Sequence, residues 1–204
     1  MADDVFPPGF FDRSDPSPDT AFYAPPRFVT HIDDRAIAAV GALYAELGLD
    51  GDVLDLCASW VSHFTAAPRR LVGLGMNADE LAANPMLASH VVRDLNADPT
   101  LPFDDAGFDD AVCCVSVDYL VDPVAVFGEV ARVLRPGGRF VVTFSNRCFP
   151  TKAIRGWLAA DDEGRLQIVN AFFVVSGGFG QVRGGLRTPP GRGDPLYAVW
   201  ATRR

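Results

Sequence analysis

Short apolar runs alternate with amphipathic stretches through most of the chain. From Asp33 to Leu47, the residues Ile37, Val40, Tyr44 and Leu47 recur every three or four positions, which predicts a helix. Asp33 or Asp34 can cap its start and Gly48 can stop it. DVLDLC (52–57) and RLVGLGM (70–76) predict the first two strands. NADELAANPML (77–87) predicts a helix capped by Asn77 that runs until Pro85, and HVVRDLN (90–96) a third strand. FDDAVCCVSV (108–117) predicts a fourth strand, dense in residues that suit a pleated surface. DPVAVFGEVARVLRPGG (122–138) predicts a helix ended by Pro-Gly-Gly, and RFVVTFSN (139–146) a fifth strand. Strands and helices alternating at this spacing imply right-handed βαβ units and a mostly parallel sheet.

Beyond Asn146 the order changes. Residues 152–175 read as helical in at least two pieces. GFGQVRGGLRT (178–188) and PLYAVWATR (195–203) read as two strands joined by the turn TPPGRGD, an antiparallel hairpin added to the sheet edge. The first segment has another character. Prolines at 7, 8, 16, 18, 25 and 26 forbid long helices, yet Phe6, Phe10, Phe11, Phe22 and Tyr23 are too apolar for a free tail. The expected organisation is an arm or lid over residues 1–32 and one domain over 33–204.

Composition narrows the choice. The 204 residues are 49% hydrophobic and 22% charged, which suits one globular domain. The net charge of −8 disfavours nucleic-acid partners. No apolar run reaches the length of a membrane span, and the acidic, proline-containing start does not look like a secretory signal. The cysteines, Cys57, Cys113, Cys114 and Cys148, have no C-x-x-C spacing and read as reduced thiols of a cytoplasmic protein. No Cys, His and acid cluster has metal-ligand spacing, so no metal is expected. Residues 1–146 carry 9 Arg against 22 acids, whereas 147–204 carry 8 Arg and 1 Lys against 4 acids. That basic quarter either faces an anionic substrate or is a solvated surface.

In an open α/β sheet, ligands bind beyond the carboxyl ends of the strands. The candidates are therefore Asp55–Ser59, Gly75–Asn77, Asp94–Asn96, Ser116–Tyr119 and Ser145–Arg147. A dinucleotide site would need G-x-G-x-x-G there, and none is present. VLDLCASW (53–60), RLVGLGMNADEL (70–81), DLNADPTLPFDDAGFDDAV (94–112) and EVARVLRPGGRFVVTFSN (129–146), in this order, resemble class I S-adenosylmethionine-dependent methyltransferases of the type 11 style. The resemblance implies a Rossmann-like, seven-stranded, mostly parallel sheet with an antiparallel final hairpin and helices on both faces. It also implies S-adenosylmethionine as cofactor and a small-molecule acceptor.

Two departures accompany it. The family's D-x-G-x-G-x-G loop keeps Asp55, but its glycine positions read Cys57, Ser59 and Val61. The family's ribose-binding acid falls where this chain has Gly75-Met76-Asn77. The resemblance thus assigns the cofactor to Asp55, Cys57, Ala58, Ser59, Asn77, Asp94 and Asn96, where Asp94 and Asn96 have turn capping as an alternative role. An acidic mouth of Asp55, Asp94 and Asp118 would suit a sulfonium cation. If Cys57 and Ser59 merely tolerate the ligand, restoring glycine there together with Gly75→Asp would tighten cofactor binding; if the loop is built around a different ligand, the same changes would do nothing or unfold the protein.

At the end of the fourth strand, Asp118 and Tyr119 are the catalytic candidates, with Asp118 as a base or as a helix cap. The Asp/Asn-Pro-Pro-aromatic motif of enzymes that methylate planar amines is absent. Asn146, Arg147 and Lys152, at the mouth of the fifth strand, and Tyr23, Arg27 and His31 of the arm are the candidates for contact with the acceptor. Two other readings remain: a module that keeps the fold without catalysis, and a methyltransferase of protein substrates that docks them on the arm. Nothing in the pattern names the acceptor atom or an oligomeric state.

Overall fold

A computed structural model describes residues 5–189 and 191–204. Seven strands form one sheet in the order β3-β2-β1-β4-β5-β7-β6. They are β1 (Asp52–Leu56), β2 (Arg70–Gly75), β3 (Ser89–Val92), β4 (Phe108–Cys114), β5 (Leu134–Phe144), β6 (Arg183–Leu186) and β7 (Tyr197–Thr202). The first five pair in parallel, and β7 runs antiparallel to both β5 and β6. The expected sheet and its final hairpin are therefore present.

The strands read as nearly continuous apolar runs because both faces are covered. On one face Ala111, Cys113, Phe140 and Val142 pack with Phe127 and Val130 of α4 (Pro123–Val133) and Phe172 and Phe173 of α6 (Asp162–Ser176). On the other, Val53, Leu71, Val112 and Val141 pack with Val40, Leu43 and Tyr44 of α2 (Asp34–Leu47). Residues of adjacent number fall in opposite cores, as strand alternation requires.

Helix α2 starts where the Asp33 carboxylate accepts from the Ala36 N–H, and it ends at Gly48 in the left-handed region. Helix α3 (Ala78–Ala83) is shorter than its pattern; Asn77 caps it and Asn84 already has extended dihedrals. The largest boundary correction lies after α4. The helix stops at Val133, and Pro-Gly-Gly belongs to β5, whose Leu134 pairs with Phe108. Pro136 disfavours helix at the preceding residue. A side chain at Gly138 would run into the Asp109 carbonyl, so the strand can cross there only without one. Strands β3 and β4 are also shorter than expected, since the residues after them turn away to line the cavity, and β6 keeps only Arg183–Leu186 of its expected length.

The arm packs inward. Phe6 touches Phe10, Phe11 and Phe172, and the one-turn helix α1 (Asp19–Phe22) leads toward the strand ends. The backbones of Asp12 and Phe10 accept from Arg155 and Gly156 of the short helix α5 (Arg155–Ala159).

Candidate ligand cavity at the strand ends

A cavity of about 280 Å³ opens at the carboxyl ends of β1 to β4. Its floor is the loop after β1, with Cys57, Ala58 and Ser59, together with Gly75 and Met76. Asp94, Leu95 and Asn96 line one side; Val115, Ser116 and Tyr119 line another. Tyr23, Arg27 and His31 of the arm close it, with Arg147, Cys148 and Phe149 beyond β5.

The loop after β1 keeps a glycine-like backbone without glycine. Cys57 has φ 56°, in the left-handed region, and the Ala58 N–H donates to the Leu74 carbonyl at 2.9 Å. Val115, also on the wall, has φ 46°, an unusual conformation for a β-branched residue. Two strained backbones at one cavity are the pattern expected of a built site. Gly75, where the family's ribose acid would stand, has no room for a side chain: a Cβ there would collide with the Ala58 carbonyl oxygen. The loop occupies that space, so of the two outcomes expected for Gly75→Asp the closed backbone favours disruption over tighter binding.

Several predicted residues line the cavity with their side chains already committed. Asn77 accepts from Asp79 and Glu80 N–H groups and donates to the Tyr23 and Ala24 carbonyls, both at 3.0 Å. Asn96 donates to Asp19 and to the Tyr119 carbonyl and accepts from the Val121 N–H. One Asp94 oxygen caps the turn at Asn96 and Ala97.

Others are not brought to the wall. Asp55 shares a face with Val53 and points under α2, where the Ser62 hydroxyl donates to it at 2.6 Å; burial pushes its carboxyl up to about 7. It lines a smaller recess behind the loop, with Tyr44 and Phe64. Asp118 is 2% exposed, its Oδ2 has no hydrogen-bond partner, and burial pushes it up to about 7 as well. Asn146 is exposed beside the mouth. Lys152 is 0% exposed and lies under the arm, paired with Asp15 at 3.1 Å and Asp19 at 3.2 Å. The expected acidic mouth of Asp55, Asp94 and Asp118 is thus replaced by Asp94 and Glu80. Of the basic C-terminal quarter, only Arg147 reaches the cavity, and it is paired with Asp194 at 2.8 Å.

Sequence reading missed Glu80, Arg93, Cys148 and Phe149. Glu80 stands in the first turn of α3, three residues after its Asn77 cap, where a side chain reaches back over the helix start. Its carboxylate accepts from the Ser59 hydroxyl at 2.5 Å and from the Arg27 N–H at 2.7 Å, tying loop, helix and arm together. Phe149 donates its N–H to the Tyr119 hydroxyl at 2.9 Å and packs against Phe22 and His31.

The titratable wall is mostly neutral or fixed. Burial holds His31 below the ordinary imidazole value, so it is uncharged at pH 7. Burial raises Tyr23 and Tyr119, which keep their protons. Cys113 is raised by its contact with Cys57 and by burial, and burial raises Cys148. Among the described residues no group of three or more His, Cys, Asp or Glu side chains is placed to hold a metal ion, and no helix is long and apolar enough to cross a membrane.

Residues 54–142 match the family model described as a methyltransferase domain. No curated protein matches the sequence. Several solved structures share the fold. A 1,6-didemethyltoxoflavin-N1-methyltransferase of Burkholderia thailandensis, solved with its substrate and S-adenosylhomocysteine, is 16% identical with TM-score 0.60, covering 83% of this chain and 78% of that one. The [4+2]-cyclase SpnF is 15% identical with TM-score 0.59, over 91% and 90% of the two chains. An S-adenosylmethionine-dependent methyltransferase of Mesorhizobium loti is 18% identical with TM-score 0.55, over 79% and 96%. The matched segment runs from β1 into β5, and the sheet as a whole has the Rossmann-like fold of these methyltransferase structures.

Proposed function

We propose that this protein transfers a methyl group from S-adenosylmethionine to a small-molecule acceptor, with both held in the strand-end cavity. The observation that carries the reading is the cavity itself, closed by the arm and joined to the ends of four parallel strands. The donor set suits the cofactor. Asp94 keeps one carboxylate oxygen outside its turn and stands beside Leu95 and Met76, a setting for the adenine. Glu80 is the carboxylate that takes the ribose hydroxyls in place of Gly75. When bound, the cofactor supplies an electrophilic methyl on a sulfonium. The chain positions the acceptor and excludes water, which supplies much of the rate in such a displacement. The arm acts as the lid. His31, uncharged and on the wall, takes a proton from an acceptor that has one to lose. Asp118 stands behind the wall and does not touch the acceptor.

A second reading has its own observation. Asn77 and Asn96 are spent on internal bonds and position 75 is closed, which favours a binding module that keeps the fold without transfer. Calorimetric titration with S-adenosylmethionine and S-adenosylhomocysteine separates the two. The methyl-transfer reading expects saturable heat at micromolar or weaker affinity. No heat and no thermal shift at millimolar ligand establishes the second.

A further inference from the structure

Arg27 is a half-buried cation on the cavity wall with no carboxylate partner among the described residues. Its guanidinium lies 4.6 Å from the Phe22 ring centroid, 5.6 Å from that of Phe149 and 5.8 Å from that of Tyr23. Stacking fixes the plane of the group. Two side-chain contacts are made, to the Phe22 carbonyl at 2.8 Å and the Pro25 carbonyl at 3.4 Å. A guanidinium has five N–H donors, so about three stay unused. The other arginines on the wall differ: Arg93 is paired with Asp98 and Arg147 with Asp194. Holding an unpaired charge away from water is costly unless an anion completes it.

The neighbouring wall is aromatic, with Phe149 and Tyr119 inclined by 32° and Phe22 and His31 edge-on to Phe149. Phe149 sits at the centre of a cluster with Tyr119 (5.8 Å), His31 (5.3 Å) and Phe22 (5.3 Å). The Tyr119 oxygen accepts from Phe149, which leaves its own O–H to donate. Ring faces favour a planar ligand, and the excess of donors favours one rich in acceptors.

We propose that the acceptor is a planar aromatic carboxylate, its ring against Phe149 and Tyr119 and its carboxylate on the Arg27 guanidinium. The proposal rests on the methyl-transfer reading only in calling this ligand the acceptor; the anion site itself stands on Arg27 and the rings.

The test is calorimetry with salicylate and with its uncharged amide, salicylamide, in the presence and absence of saturating S-adenosylhomocysteine. Wild type should bind the acid about tenfold or more tighter than the amide, the discrimination expected of a charge-assisted bidentate pair. Arg27→Gln should abolish that preference and leave salicylamide within about twofold, while Arg69→Gln, an exposed arginine outside the cavity paired with Asp52 and Asp109, should alter salicylate by less than about twofold. Equal binding of acid and amide by wild type overturns the proposal, as does a preference that survives in Arg27→Gln. If Arg27→Gln melts without folding, Arg27→Lys carries the test: it keeps the charge but loses the fork, so the preference should shrink by about threefold or more, and an unchanged preference overturns the proposal. Arg27-dependent salicylate binding without any S-adenosylhomocysteine binding would remove the methyl-transfer reading and leave the anion site; the reverse result would remove the anion site alone.

Discussion

Two buried aspartates, Asp19 in the arm and Asp118 after β4, are treated by the protein in opposite ways. Asp19, 4% exposed, receives Arg13, Lys152 and Asn96. Burial alone would raise its carboxyl, but the bonds from Asn96, Arg13 and Lys152 hold it below the ordinary value. Asp118, 2% exposed, leaves Oδ2 without a partner, and burial raises it to about 7, opposed only weakly by Arg165 and Tyr119. The first is an anchor: Arg13 of the arm, the Asn96 amide from the turn after β3 and Lys152 meet on one carboxylate. The second is a cost carried at the end of β4, one residue from a tyrosine on the cavity wall. Equal burial therefore says nothing about role; the donors around the carboxylate decide it.

The comparison breaks with the largest loss of stability at Lys152. Lys152→Met removes the 0%-exposed cation while leaving Asp15 and Asp19 in place. The expected loss is about 2–3 kcal/mol of stability, below the cost of a fully orphaned buried charge because Arg13 and Asn96 still hold Asp19, read by denaturant melts, with protease cleavage appearing in residues 5–27. A loss under about 1 kcal/mol would make the cluster a surface-like contact.

Asp118→Asn should act in the opposite direction. A carboxyl raised from 3.8 to about 7 costs the fold stability as pH climbs through that window, because the unfolded chain ionises first. The variant should be about 2–4 kcal/mol more stable than wild type at pH 8, with the gain vanishing below about pH 4. Melts across pH check this, and a variant no more stable at pH 8 would refute the cost. Asn96→Ala falls between the two regions, since its side chain serves Asp19 as well as the Tyr119 carbonyl and the Val121 N–H. It should lose about 1–3 kcal/mol. The smallest effect is acid release of the arm. Bonds from Ser17, then Lys152, hold Asp15 at about 2, and Asp19 is also lowered. Their contribution is complete above about pH 4 and fades as pH falls toward 2, so pepsin should reach the arm only in that range.

Much of the fold was legible because a strand covered on both faces leaves a run that periodicity detects, as in 108–114 and 139–144. The end of α4 was not, because Pro-Gly-Gly marks a helix stop and a strand crossing equally well. The strand ends were identified from topology, while side-chain direction was not. Asp55 has the parity of Val53 and so faces α2. Lys152 was placed at the mouth because it follows β5, but the chain turns after Phe149 and carries it beneath the arm. Glu80 was overlooked because an acid was sought at the end of β2, one helical turn too early. Asn77 reads in the sequence as a cap and a cofactor residue, and neither role points to the arm whose Tyr23 and Ala24 carbonyls rest on it.

The closed space at Gly75 limits how this site can be rebuilt. A carboxylate cannot be placed at position 75 by one substitution, because the Ala58 carbonyl must move first. The loop in turn is held by its bond from Ala58 to the Leu74 carbonyl and by Asn84 donating to the Ser59 carbonyl. Position 75 is therefore closed to redesign: a variant meant to grip a ligand more tightly has room at Glu80 or in the arm, and none at the end of β2.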